Sequence, residues 1–186
     1  MKGDPSPKTE KHKITGLILA GGQSRRMGRD KAGLMYRGRS LLDRATDLLK
    51  HLPVGDIVVL GREDTKYGVR DTEPHLGPAR AIRNWLRRQD KPMNLLVIPV
   101  DMPELGREQL HELLAHEKGA YFHDLYLPFY VRAAKASAVH ASAERMRDLI
   151  SAFDLRELPV PVHWRSALMN INTPDDLLAL EERQRG

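Results

Sequence analysis

The stretch Leu19-Ala20-Gly21-Gly22-Gln23-Ser24-Arg25-Arg26-Met27-Gly28-Arg29-Asp30-Lys31 follows directly on the apolar run Ile14, Gly16, Leu17, Ile18. A buried strand that empties into a glycine-rich, cationic loop leaves few folds open to the chain. Gly21 and Gly22 allow positive φ and a close backbone approach, where a Cβ would collide with a ligand. Arg25, Arg26, Arg29 and Lys31 then place four cations within seven positions, opposed only by Asp30. Taken alone, a Gly-Gly loop is a solvated turn. With the strand before it and this cation spacing behind it, the segment reads as a cradle for polyphosphate.

The rest of the chain supplies partners for that strand. Apolar runs alternate with helical patterns, which predicts an α/β domain. Ser40 is an N-cap candidate for a helix whose apolar residues Leu41, Leu42, Ala45, Leu48, Leu49 and Leu52 have 3–4 spacing, with Pro53 ending it. A second strand is expected over 56–60. The loop through Asp71, His75 and Gly77 leads to Pro78, a good first-turn residue for a helix reaching Arg88. The most apolar run, 94–100, reads as the central strand. A helix is expected over 108–116, strands within 120–135, a helix over 136–153, and an edge strand over 158–164, because Pro159 and Pro161 cannot donate in a ladder. A final helix starts at Thr173-Pro174-Asp175. Residues 1–13 read as a disordered tail and 14–186 as one domain, a comfortable size for a single core in a chain of 186 residues.

Composition excludes several classes. There is no cysteine, hence no disulfide, thiolate metal site or cysteine nucleophile, which agrees with a cytoplasmic location. No apolar run approaches the ~20 residues that cross a bilayer. The formal charge of +5 fits an anionic partner. Arg80, Arg83, Arg87 and Arg88 form a stripe that reads as solvated helix surface. Nucleic acid is not expected, since the two Trp, five Tyr and three Phe are not interleaved with basic residues. No G-x-x-x-x-G-K-[ST] occurs, and His111 and His116 are five apart, so both read as surface residues.

Parallel strands would bring the basic loop, Asp71 and Asp101 to one sheet edge, where α/β folds hold ligands. Asp101 ends a buried run with a charge, an expensive placement unless a cation meets it. It reads either as a magnesium ligand or as a cap on the next helix. Asp71 is open between ligand contact, turn cap and metal ligand. Asn170 and Asn172 have the period-2 spacing of one strand face; they fit hydrogen bonds to a polar ligand or a polar turn equally well. His75 is a further candidate contact.

Leu19 to Lys31 resembles the L-A-G-G-x-S-x-R-M-G-x-D-K signature of the molybdenum cofactor guanylyltransferases, the MobA-like branch of the nucleotidyltransferases. Asp71, Gly77-Pro78, Val100-Asp101-Met102-Pro103, Glu144-Arg145-Met146-Arg147 and Asn170-Ile171-Asn172-Thr173-Pro174 match in register, so the resemblance spans about Ile14 to Leu180. It implies a Rossmann-like three-layer α/β/α sandwich with a mostly parallel sheet. It also implies transfer of GMP from MgGTP to the phosphate of molybdopterin bearing molybdenum, with release of pyrophosphate. Leu19, Ala20, Gly21, Gly22, Asp71 and Gly77 would contact the nucleotide, and Arg26 and Lys31 its phosphates. Asp101 would bind Mg2+, and Asn170 and Asn172 would face the reacting phosphates or the pterin. Molybdoenzymes and cofactor-delivery proteins are the implied protein partners.

Three departures from the family pattern stand out. Ala81 replaces a glycine, Leu60-Gly61 replaces a polar residue after the second strand, and the segment between Gly119 and Tyr130 is short. They motivate two alternatives: another nucleotide or acceptor, such as CMP or a sugar phosphate, and a non-catalytic cofactor-binding relative.

Overall fold

Ile14–Leu19 forms β1, the strand on which the architecture is built, and its central residues are fully enclosed. The computed structural model describes residues 13–21, 30–73, 76–140 and 143–182. Of the expected N-terminal tail only Lys13 is among them.

β1 pairs in parallel with β4 (Val54–Leu60) on one side and β6 (Met93–Pro99) on the other. β5 (Gly68–Val69) extends the parallel set beyond β4. β8 (Leu125–Ala134) runs antiparallel to β6, β7 (Gly119–Phe122) antiparallel to β8, and β9 (Arg156–Leu158) parallel to β7. The seven-stranded order is β5-β4-β1-β6-β8-β7-β9, with β6 in the middle as its unbroken apolar run predicts. A small hairpin of β2 (Met35–Tyr36) and β3 (Arg39–Ser40) stands apart.

Successive residues of the central strands face opposite sides, and the helices divide accordingly. Ile18, Leu96 and Ile98 pack with α1 (Leu41–Lys50), α3 (Arg107–Leu114) and α5 (Pro174–Glu182). Leu17, Leu95 and Val97 pack with α2 (Pro78–Leu86) and α4 (Met146–Ala152). The result is the expected three-layer sandwich with a mostly parallel sheet. The Ser40 cap is present: its Oγ accepts from the Asp43 N–H at 3.0 Å.

Several expectations are corrected. Only 146–152 of the stretch 136–153 is α-helical, preceded by a single 3-10 turn at Ala136–Ala138. The edge strand ends at Leu158, and Val162–Trp164 is a 3-10 turn. Asn170 to Asn172 lies on no strand, although Ile171 is buried between two exposed asparagines. The arginine stripe is solvated only at its far end: Arg87 and Arg88 are exposed, whereas Arg83 is 4% exposed and donates from Nη1 to the Ala143 carbonyl at 3.2 Å. Arg80 pairs with Glu73 at 3.1 Å and Glu144 at 3.6 Å. His116 is also half-covered, with Glu112 at 3.5 Å.

Candidate active site

Leu19, Leu60 and Pro99 share one register line, so β1, β4 and β6 end together. The segments leaving these three strands therefore converge. After β1 the chain turns across the sheet edge: the Ala20 and Gly21 amides both donate to the Leu60 carbonyl, at 3.0 and 3.1 Å. Gly61 has φ +94, and a Cβ there would lie 2.4 Å from the Gly21 Cα. Leu60-Gly61, a departure from the family pattern, is thus required by a glycine–glycine backbone contact that floors this end of the sheet.

After β6 come Val100 and Asp101. The Val100 amide donates to the Leu19 carbonyl at 3.1 Å, which extends the ladder and fixes Asp101 beside the turn. Lys31 enters from a 3-10 turn (Lys31–Gly33) capped by Asp30, whose Oδ1 accepts from the Ala32 N–H at 3.1 Å. Lys31 Nζ lies 2.8 Å from Asp101 Oδ2 and 3.1 Å from Asn172 Oδ1. Both members of the ion pair are about one-fifth exposed, so the pair is neither fully dry nor freely solvated.

The third side of the site is held by Asp101 itself. The Ile171 amide donates to the Asp101 carbonyl at 2.8 Å. Asp176 Oδ2 accepts from the Asn172 and Thr173 amides, each at 2.8 Å, and its own amide donates to Thr173 Oγ1 at 3.2 Å. This cap on α5 orients Asn172 towards Lys31. The two amides hold the Asp176 carboxyl below the ordinary aspartate pKa, with Thr173 Oγ1 and Lys31 adding to the effect.

These residues line a cleft of about 260 Å³ with Leu19, Ala20, Gly21, Asp30, Pro78, Leu127 and Asn170 among its walls. Leu127 belongs to a β7–β8 hairpin whose two-residue connection places Asp124 at φ 59; this is the short segment noted in the sequence. A larger hollow of about 400 Å³ runs along α1. It contains none of the glycine turn, Lys31 or Asp101; in its wall Arg44 donates to the Pro103 carbonyl at 3.0 Å, and Asp47 pairs with Arg39 and Lys50.

The sequence candidates divide clearly. Leu19, Ala20, Gly21, Lys31, Asp101 and Asn170 line the cleft, and Asn172 reaches it through Lys31. Gly77, at φ 88, precedes the lining residue Pro78 and starts α2 without a side-chain cap. Asp71 follows β5 on the same edge but does not line the cleft; its Oδ1 accepts from the Glu73 amide at 3.0 Å. Gly22, Arg26 and His75 lie outside the described residues. Ala81 is 9% exposed and packs in the apolar cluster of α2 with Ile82 and Trp85, so its methyl serves the core and not the cleft wall. Arg62, absent from the sequence candidates, spans Asp30 and Asp64 beside the cleft. Its partner is 32 residues upstream, and no local pattern marks it.

Asp101 and the amide oxygens of Asn170 and Asn172 are hard oxygen donors, the kind Mg2+ takes alongside substrate phosphates. No cluster of three or more His, Cys, Asp or Glu suited to a metal occurs among the described residues, so these residues build no closed cage there. A cation already meets Asp101 in the form of the Lys31 ammonium. The donor set fits a magnesium ion brought in with a polyphosphate.

A parallel α/β sheet whose carboxyl edge carries a glycine turn, a lysine and an aspartate defines a nucleotide-handling α/β domain. Residues 16–183 match the family model described as the MobA-like NTP transferase domain, and the chain belongs to that family. A molybdenum cofactor guanylyltransferase of Xanthomonas euvesicatoria is 33% identical over 171 residues, covering 87% of this chain and 90% of that protein. One from Rhizobium johnstonii is also 33% identical, covering 92% and 93%. In fold, the chain is similar to molybdopterin-guanine dinucleotide biosynthesis protein A of Archaeoglobus fulgidus, with TM-score 0.63 and 22% identity over 92% of this chain and 98% of that one. It is likewise similar to a nucleotidyl transferase of Methanothermobacter thermautotroptrophicus, with TM-score 0.69 and 14% identity over 92% and 97%. No helix among the described residues is long and apolar enough to cross a membrane.

Proposed function

We propose that this chain transfers GMP from GTP to the terminal phosphate of a molybdopterin-type molybdenum cofactor, releasing pyrophosphate. The observation that carries the reading is the meeting of Lys31, Asp101 and Asn172 at the end of the glycine turn, with Lys31 Nζ at 2.8 and 3.1 Å from its two partners. The named relatives at 33% identity over most of the chain support the substrate assignment.

The acceptor phosphate is anionic at neutral pH, so in-line attack on the α-phosphorus needs no strong general base. The protein has to align two polyanions and offset charge developing on phosphate oxygens. The Gly21 turn offers backbone without side chains to a nucleotide. Lys31 gives up its contacts with Asp101 and Asn172 and takes phosphate oxygen, joined by Arg26. Asp101, released, is the carboxylate that would hold Mg2+, with Asn170 and Asn172 directed at the phosphate or pterin side. Held by Asp101, a magnesium ion would supply Lewis-acid neutralisation of phosphate charge. Gly77 and Asp71 are the assigned contacts on the nucleotide side. The burial of Ala81 in the apolar cluster of α2 supports the catalytic reading over a non-catalytic one.

The test is pyrophosphate release with GTP, Mg2+ and molybdenum cofactor, run beside ATP, CTP and UTP and beside sugar phosphates as acceptors. Release that depends on both GTP and the molybdenum cofactor is expected. Equal turnover with CTP, or turnover only with a sugar phosphate, would replace the guanylyl assignment.

A further inference from the structure

We infer that Arg62 is a positioning residue that neutralises Asp30 at the lip of the cleft and thereby keeps Lys31 placed and the cleft open to a triphosphate, a role that rests on the nucleotide-transfer function proposed for the same site.

Arg62 directly follows Gly61, so its backbone is anchored by the glycine–glycine contact at the end of β4. Its guanidinium divides between two carboxylates. Nε and Nη2 donate to Asp64 at 2.8 and 2.5 Å, and Nη1 donates to Asp30 Oδ2. The Arg62 side chain is only 20% exposed, whereas Asp30 and Asp64 are 51% and 63% exposed. These hydrogen bonds, Asp64 first and Asp30 second, raise its already high pKa, so the charge is permanent.

Asp30 has two duties, one on each oxygen. Oδ1 caps the turn that carries Lys31, and Oδ2 receives Arg62. The connection runs from the end of β4 through Arg62 and Asp30 to the turn and out to the Lys31 ammonium. Asp30 also lines the cleft, so its charge faces any incoming phosphate. With Arg62 in place that carboxylate is offset. Without it, a free anion stands well within a Debye length of the triphosphate, and the turn loses an outside brace. Lysine does not reproduce the fork, because a single ammonium on a flexible stem cannot serve two carboxylates in fixed directions.

The test is calorimetric titration of the full chain with MgGTP, using wild type, Arg62→Ala, Arg62→Lys, Asp30→Asn and the Arg62→Ala/Asp30→Asn double variant, each checked by its melting curve. Arg62→Ala is expected to weaken binding roughly ten- to hundredfold, the effect of leaving one uncompensated carboxylate facing the triphosphate. Arg62→Lys should fall between wild type and Arg62→Ala. Asp30→Asn keeps an oxygen for the Ala32 amide while deleting the charge, so in the double variant it should restore most of the affinity. A purely structural arginine would give no such rescue. Wild-type affinity in a folded Arg62→Ala, or a double variant no tighter than the single one, overturns the assignment. If wild type itself binds no magnesium nucleoside triphosphate, the nucleotide reading fails first, and Arg62's role with it.

Discussion

Replacing Lys31 with alanine separates what the residue does for the fold from what it does for the chemistry. Its ammonium is 2.8 Å from Asp101 and 3.1 Å from Asn172, and both charged side chains are about one-fifth exposed. Exposed ion pairs contribute about 0–1 kcal/mol, and breaking a fully buried pair costs about 3–5 kcal/mol. A pair this enclosed falls between, so Lys31→Ala should lower stability by about 1–2 kcal/mol. For a domain of this length that is a fall in Tm of roughly 2–8 °C. The chemical effect is of another kind. One charge-assisted contact to a developing phosphate charge contributes about 1.5–3 kcal/mol, which corresponds to a drop in kcat of roughly ten- to 150-fold. The assay is pyrophosphate release at saturating GTP and Mg2+, at a temperature where the melting curve shows the variant folded. Wild-type kcat in a folded Lys31→Ala protein refutes the role given to Lys31. A collapse of Tm far beyond the stated range refutes the estimate of its structural share.

Gly61→Ala should destabilise by about 2–4 kcal/mol, since left-handed backbone costs a side chain about 1–2 kcal/mol and overpacking adds about as much again. The new Cβ would meet only backbone, 2.4 and 2.6 Å from Gly21 Cα and N; a urea midpoint unchanged from wild type would discredit the close contact. Arg83→Ala should cost about 2–4 kcal/mol by emptying a buried site and stripping the Ala143 carbonyl of a donor; thermal denaturation checks it, and a change below about 0.5 kcal/mol would count against the buried role. His123 beside β7 and Glu157 on β9 make a pH-dependent clasp. Glu157, then Asp124, raise the histidine pKa above its ordinary value, while Tyr121 and His123 lower that of Glu157. The histidine's contribution is complete below its unfolded pKa and fades as pH rises through the raised one; the glutamate's is complete above its unfolded pKa and fades as pH falls through the lowered one. Stability from the pair therefore peaks in the mildly acidic range. Glu157→Gln should flatten the profile there and return the His123 titration, followed by NMR, towards its ordinary value; an unchanged titration would contradict the clasp.

The central strands are readable because burial on both faces leaves an unbroken apolar run, as in 94–100. α1 is readable because its 3–4 spacing and Ser40 cap agree. The errors fall where tertiary contacts decide. Residues 136–153 are rich in helix formers, yet Val139 and Ala143 reach the core from irregular backbone and only Met146–Ala152 presents Leu149 and Ile150 as a helical face. The prolines do exclude a strand, but the strand lies just before them, at Arg156–Leu158, and not through them. Asn170 and Asn172 do face outward around a buried Ile171, but a single alternation does not distinguish a strand from an anchored turn. In the site, Lys31 and Asp101 are legible through chemistry each carries alone, a cation after glycine and a charge ending an apolar run. Arg62 is not, because its meaning depends on Asp30, and nothing local joins the two.

The Lys31–Asp101 and Arg62–Asp30 pairs also balance charge along the cleft. A cleft lined with unopposed cations repels itself, and one lined with unopposed carboxylates repels its substrate. Here each of these two cations is held by a carboxylate within the same site. In the proposed reaction, a magnesium triphosphate would bring phosphate oxygens to Lys31 and a metal to Asp101 together. Either half alone leaves one charge of that pair uncompensated in a site only partly open to water, which is penalised. Free GTP without magnesium, and magnesium without GTP, should therefore each bind much more weakly than the two together. The Arg62 pair is different, because its partner is needed at the lip throughout. On the proposed roles, exchange at Lys31 and constancy at Arg62 would let the cleft change ligands without rebuilding its wall.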